Sequence, residues 1–168
     1  GPNPDWWYER QEQLCKFILG RMRELGMEPV LPGYGNILPS NAAEKMGVNA
    51  LDQGNWCSGF RRPAFLMPTD KRYAEIAQLY YKNLEKVMGK AKYYSMDPFH
   101  EGGRTKGVNL KEAYYTMYAE MQKHSPESKW VIQSGGDNPR KEALDTIRKG
   151  GVVVLDLYAD GLSRWEKD

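Results

Sequence analysis

Apolar residues first recur at helical spacing in WWYERQEQLCKFILGRMRELG, where Leu14, Phe17, Ile18, Met22 and Leu25 fall three and four positions apart on one face. That period predicts a helix, which Gly26 stops. MEPVLPGYG follows as a short buried strand centred on Val30 and Leu31, bordered by prolines with glycines beyond. From about residue 36 to 68 no period is sustained. This stretch holds Trp56, Phe60, Phe65 and several glycines and prolines, and reads as an inserted loop that is functional or carries small elements of its own. Helical spacing resumes in PTDKRYAEIAQLYYKNLEKVMG, with Thr69 or Asp70 as N-cap, Tyr73, Ile76, Ala77, Tyr80 and Leu84 on the apolar face, and Gly89 at the end. The strand KYYSM comes next. The alternation then repeats twice, as helix LKEAYYTMYAEMQKH with strand KWVIQ, and helix NPRKEALDTIRKG with strand VVVLDL.

Strands near 29–32, 92–97, 129–133 and 152–157, separated by helices on short connections, make parallel βαβ units. The last is a continuous apolar run, as expected of a parallel strand covered on both faces. The fold class is α/β, either an open doubly wound sheet or part of a (β/α)8 TIM-type barrel. Four strands are few for an open sheet, and a complete barrel needs about 250 residues. The barrel reading makes residues 1–168 a single partial barrel domain, an interior portion of a larger one. Neither GxGxxG nor GxxxxGKS/T follows any of the four strands, which argues against a nucleotide-binding sheet.

Charge and cysteine content narrow the partners. The 24 Lys and Arg against 22 Asp and Glu give a formal charge of +2 with no dense basic run, so nucleic acid is not an expected partner. No segment approaches the roughly 20 continuous apolar residues of a membrane helix, and no membrane partner is expected. The N-terminus lacks a charged region followed by an apolar stretch, and Gly1-Pro2 fits a protease scar or native sequence equally. Cys15 and Cys57 show neither CxxC spacing nor a histidine cluster, so no metal site and no cofactor are expected.

In parallel α/β folds ligands bind beyond the carboxyl ends of the strands. Polar residues cluster at those ends here: Tyr34 and Asn36 after the first strand, Asp97 and His100-Glu101 after the second, Gln133 and Asp137-Asn138 after the third, Asp156, Tyr158 and Asp160 after the fourth. Strand ends are polar in any protein, so the four together count for more than any one. Glu101, in YYSMDPFHEGG, is the strongest single candidate. Surrounded by Tyr93, Tyr94 and Phe99, its carboxyl could stay protonated by desolvation and give a proton to a leaving oxygen, as glycoside hydrolysis requires of one of its two carboxyl groups. The competing reading is a solvated loop glutamate near a helix start. His100 could orient a sugar hydroxyl or simply be partly exposed. Asp97 could fix Glu101 or a substrate hydroxyl, or hydrogen-bond the backbone of the next loop. Trp56 and Tyr34 lie in loops, which favours exposure at a rim where sugar faces stack, whereas Tyr73, Tyr80, Tyr114 and Trp130 fall at core positions. No Ser-His-Asp order or nucleophile elbow is present.

The segments RMRELGMEPVLPGYGNILP, NWCSGFRRPAFLMPTDKRYAEIAQLYY, YYSMDPFHE, KWVIQ and VVVLDLYAD, in this order and at these separations, resemble the catalytic (β/α)8 barrel of the α-N-acetylglucosaminidases, glycoside hydrolase family 89. The resemblance covers nearly the whole chain. It implies a retaining hydrolase that removes terminal α-linked N-acetylglucosamine from glycans, secreted, periplasmic or lysosomal in its full-length form. It makes Glu101 the general acid/base, with Asp97 and His100 in the same motif and GYGNILP and NWCSGF as loops bordering the pocket. Tyr34, Asn36, Trp56, Gln133 and Asp156 then join Asp97 and His100 as expected substrate-binding residues. Two departures stand out. His100 occupies a position where the family more usually has asparagine directly before the glutamate, and Ser134, Gly135 and Gly136 stand where it tends to carry a tryptophan soon after Gln133. The family's nucleophilic glutamate lies on a later strand, past VVVLDLYAD, so the isolated chain is expected to be inactive. It is also expected to present open sheet edges and uncovered apolar surface, with the remainder of the enzyme or further copies of itself as partners. The alternative is a non-catalytic carbohydrate-binding or scaffold domain that kept the strands and lost the second carboxylate.

Overall fold

The computed structural model describes residues 3–39, 41–56, 58–99, 103–135 and 138–157. Along the chain the elements are helix α1 (Asp5–Glu24), strands β1 (Val30–Pro32) and β2 (Ile37–Leu38), helix α2 (Ala42–Met46), strands β3 (Ala50–Leu51) and β4 (Ala64–Leu66), helix α3 (Tyr73–Met88), strand β5 (Tyr93–Ser95), helix α4 (Leu110–His124), strand β6 (Lys129–Ser134), helix α5 (Lys141–Thr146) and strand β7 (Val152–Asp156). No described helix is long and apolar enough to cross a membrane.

The four strands expected from the apolar runs form one parallel sheet in the order β1-β5-β6-β7. Tyr94 sits between Leu31 and Trp130, and Val131 lies beside Val153. Each step across the sheet follows the chain in the same direction. A doubly wound sheet reverses its strand order part-way, and a barrel does not. The sheet is therefore part of a (β/α)8 barrel.

Helix boundaries follow local chemistry. The Asp70 side chain accepts the backbone N–H groups of Arg72 (2.8 Å) and Asn49 (2.6 Å), which orders the entry to α3. The Asn109 side chain accepts the N–H of Glu112 (3.3 Å) and caps α4. Both helices turn aromatic and thioether side chains inward. Tyr81 meets Tyr94 edge-on (5.7 Å between ring centres), and Tyr114 lies against Trp130 (5.9 Å). Tyr73, Ala77, Met117 and Met121 complete this buried layer. Each fully buried apolar side chain stabilises the fold by roughly 1.5–3 kcal/mol.

Two expectations change. The face Leu14-Phe17-Ile18-Leu25 of α1 is exposed, Phe17 at 73%. The residues that α1 buries are Leu19, with Cys15 and Met22 half-buried beside it. Apolar side chains wrap around more of this helix than one neighbour can cover, and α3 covers only the narrow stripe through 15, 19 and 22. Similarly, Val154 and Leu155 of β7 are exposed although the run reads as covered on both faces. Among the described residues β7 has one strand neighbour, and no helix follows it to lie over its face.

The stretch from 36 to 68 does carry elements of its own. Strands β2, β4 and β3 make a small antiparallel sheet with Phe65 at its centre, opposite both Ile37 and Leu51. Gly47, at φ +61°, closes the five-residue α2 with the left-handed turn that glycine adopts without strain. This small sheet lies against the carboxyl end of β5, where Phe65 meets Phe99 at 4.4 Å.

Candidate active site

Beyond Ser95 the chain is held residue by residue. The Trp130 indole N–H donates to the Met96 carbonyl (2.7 Å), and Asp97 Oδ1 accepts the backbone N–H of Gln133 (3.0 Å), which ties the end of β5 to β6. The Met96 side chain fills the space over Gly33, where a Cβ would sit 2.5 Å from its Cγ, so a larger residue at 33 would require that side chain to shift. Phe99 adopts φ +60°, a left-handed conformation that costs a bulky residue about 1–3 kcal/mol. Packing offsets that cost: Phe99 is buried between Phe65 and Tyr114.

In front of this turn lies a cleft of about 160 Å³. Ile37, Phe65 and Phe99 make its apolar wall, Asp97 and Pro98 its base beside β5, and Gln53, Trp56 and Arg62 its rim from the inserted segment. The Arg62 guanidinium lies over the Trp56 ring, 5.4 Å from its centre. Next to the rim, Asp52 accepts the Gly54 N–H (3.0 Å) and pairs with Arg104 (3.2 Å). Its carboxyl is held below the usual range, first by that backbone N–H and then by Arg104 and Arg61. A small concavity with aromatic and aliphatic walls and a few fixed polar groups suits a single pyranose ring, with its CH-rich faces and hydroxyl edge.

The expected site residues divide. Asp97 and Trp56 line the cleft, and Trp56 is 39% exposed. Gln133 adjoins Asp97 through the backbone bond, with its side chain half-buried, and Asp156, also half-buried, ends β7 opposite Ser134. Tyr34 and Asn36 both face inward. Tyr34 is not at a rim but 6% exposed, packed against Tyr80 (5.3 Å) and Tyr73 (6.0 Å), and burial raises its phenol pKa well above the ordinary value. Asn36 is fully buried, and both ends of its amide serve the interior: it donates to the Leu66 carbonyl (2.9 Å) and accepts from the Tyr73 hydroxyl (2.8 Å). Asn36 adopts φ +65° with its side chain turned inward onto Leu66 of β4 and Tyr73 of α3. His100 and Glu101 lie outside the described residues, as do Cys57, Asp137, Tyr158 and Asp160. Gln53, Arg62 and Phe99 are cleft residues that periodicity passes over. The signal available was their place in the aperiodic insert, DQGN and FRRP, and in the strand-end motif itself.

The family model described as the alpha-N-acetylglucosaminidase (NAGLU) tim-barrel domain matches residues 1–168. The chain belongs to this family. The human alpha-N-acetylglucosaminidase is 28% identical to it, over 95% of this chain and 24% of its own length. A family 89 glycoside hydrolase from Clostridium perfringens, in complex with 2-acetamido-1,2-dideoxynojirimycin, superposes with a TM-score of 0.92 at 32% identity, over 99% of this chain and 20% of that one. A form of the Clostridium perfringens enzyme with two glutamates replaced by glutamine, in complex with its substrate GlcNAc-alpha-1,4-galactose, superposes at 0.93 with 31% identity and the same coverage. The NAGLU barrel portion seen here thus spans about a fifth to a quarter of the length of the proteins it matches.

Proposed function

We propose that this chain is the acid/base-bearing portion of a retaining α-N-acetylglucosaminidase, and that Glu101 is its general acid and base. The observation that carries the reading is the turn at Asp97–Phe99, which borders the cleft at the carboxyl end of β5 two residues before Glu101. The chain is back beside Phe99 at Gly103, whose added Cβ would lie 3.0 Å from Phe99 Cα. The sugar would stack on the aromatic and aliphatic wall with its glycosidic oxygen toward this turn. Protonated Glu101 gives its proton to that oxygen as the bond to the anomeric carbon breaks. As carboxylate it then takes a proton from the water that releases the glycosyl-enzyme intermediate. Asp97 and the Trp130–Met96 bond keep the strand end in place during both steps.

A retaining mechanism needs a second carboxylate about 5–5.5 Å from the first, which the resemblance assigns to a later strand of the barrel. The Clostridium perfringens complex, with two glutamates changed and substrate bound, supports a two-carboxyl requirement. Residues 1–168 alone are accordingly expected to turn over no substrate. The test is Glu101→Gln in the full-length protein, measured on α-N-acetylglucosaminides with good and poor leaving groups. The expected kcat/KM falls roughly 10²–10⁴-fold for a poor leaving group and stays close to wild type for an acidic phenol that needs no proton. Unchanged kcat/KM on the poor leaving group overturns the assignment, and a wild-type protein that binds the sugar without turnover overturns the enzyme reading.

A further inference from the structure

Helix α3 turns three tyrosine hydroxyls onto the connection between β1 and β2. Tyr80 donates to the Pro32 carbonyl (3.2 Å), Tyr81 accepts the backbone N–H of Tyr34 (3.1 Å), and Tyr73 donates to Asn36 Oδ1 (2.8 Å). Phenylalanine would fill the same space and need no partner, so what the hydroxyls add is their hold on residues 32, 34 and 36. The Tyr73 bond reaches the cleft through one residue. Asn36 Nδ2 donates to the Leu66 carbonyl (2.9 Å) and the Asn36 carbonyl accepts the Leu66 N–H (2.7 Å), so residues 36 and 66 are joined twice. Their neighbours Ile37 and Phe65 stand opposite each other in the β2–β4 pair and form the apolar wall of the cleft. Asn36 itself is fully buried behind that wall. An amide has a donor end and an acceptor end, and with Oδ1 held by Tyr73 only the donor end faces Leu66. Burial pushes the Tyr73 phenol well above its ordinary pKa, so it keeps its proton.

We propose that Tyr73 is a positioning residue for sugar binding: through Asn36 it fixes Ile37 and Phe65, and so the shape of the wall on which the sugar ring packs. This rests on the reading of the cleft as the sugar site. Tyr73 does not line the cleft and touches no reacting atom. Without its hydroxyl the Asn36 amide loses its fixed sense, the double link to Leu66 loosens, and the wall no longer keeps one shape. The Asp97 turn is held separately, by the bonds from Trp130 and Gln133, so binding weakens and the chemical step does not.

The test uses Tyr73→Phe, Asn36→Gly and the double variant in the full-length protein. Glycine accepts the positive φ of residue 36 and removes only the amide. kcat and KM are measured on an aryl α-N-acetylglucosaminide, and the inhibition constant for N-acetylglucosamine beside them, with Trp56→Ala at the cleft rim as a reference. For a positioning role, Tyr73→Phe raises the inhibition constant and KM together, about three- to tenfold, and leaves kcat within about twofold. The double variant matches Asn36→Gly alone, since both act through one amide. A hydroxyl that only stabilises the fold would lower the amount of active enzyme and leave the inhibition constant unchanged. That result, or single losses that multiply in the double variant, overturns the proposal. If Trp56→Ala leaves the inhibition constant unchanged, the cleft is not the sugar site and that reading fails, taking the proposal with it. A Trp56 effect without a Tyr73 effect removes the positioning role alone. Should Tyr73→Phe not fold, Asn36→Gly decides, and an unchanged inhibition constant there overturns the proposal.

Discussion

Trp130 shows how a single side chain can serve core and site together. It is fully buried against Tyr114, and its one polar atom donates to the Met96 carbonyl at the point where β5 gives way to the Asp97 turn. Trp130→Phe removes the donor and leaves both a void and a buried carbonyl without that partner. A loss of about 2–4 kcal/mol is expected, seen as a lower thermal midpoint of the full-length protein; an unchanged midpoint would show that the indole bond contributes nothing. At this scale a strand tryptophan was legible as core from the pattern alone. The inward turn of Tyr34 and Asn36 was not, because a loop residue's direction depends on which distant groups lack partners. Here those groups are the Tyr73 hydroxyl and the Leu66 carbonyl, 37 and 30 residues away.

Between elements, the contact of α3 with α4 carries a titratable group. His124, the last residue of α4, stacks on Tyr81 of α3 (5.0 Å) and meets Tyr94 of β5 edge-on (6.2 Å), and its buried Nε2 has no hydrogen-bond partner among the described residues. Burial lowers its pKa below the ordinary histidine value. Glu85, 4.0 Å from Nδ1, opposes that shift and Lys90 adds to it. The unfolded chain therefore takes up a proton on this imidazole at a pH where the folded protein does not. Stability falls as pH drops below about 6.5, the unfolded value, and the loss is complete once pH passes the lowered folded value. His124→Phe preserves the stack and should flatten stability against pH in that window. Equal slopes for variant and wild type would rule His124 out as the source. The helices themselves were readable from their 3.6-residue period, and α4 from Leu110 to His124 coincides with the periodic segment. Which stripe of α1 is buried was not, since a period defines a face only relative to the helix's own axis.

At the scale of the whole molecule, the exposed side of α1 adds Leu14, Phe17, Ile18 and Leu25 to an edge strand whose Val30 is also exposed. Exposed apolar side chains and a strand edge without a neighbour among the described residues each favour association. The 168-residue chain on its own is expected to self-associate, and Phe17→Lys with Ile18→Lys to reduce that. Sedimentation showing a monomer at every concentration would contradict this. The sequence alone determined the succession of helices and strands along the chain and the motif that carries the candidate acid, because these depend on local periodicity and on residues contiguous in the chain; periodicity left an open sheet and a barrel both standing, and the strand order β1-β5-β6-β7 decided for the barrel. Only the tertiary structure decided that the insert returns as a small sheet against the end of β5, that Gln53 reaches Arg104, and that Tyr34 and Asn36 belong to the interior. Those outcomes are set by hydrogen-bond partners and packing neighbours dozens of residues apart, and no local pattern encodes which of them will meet.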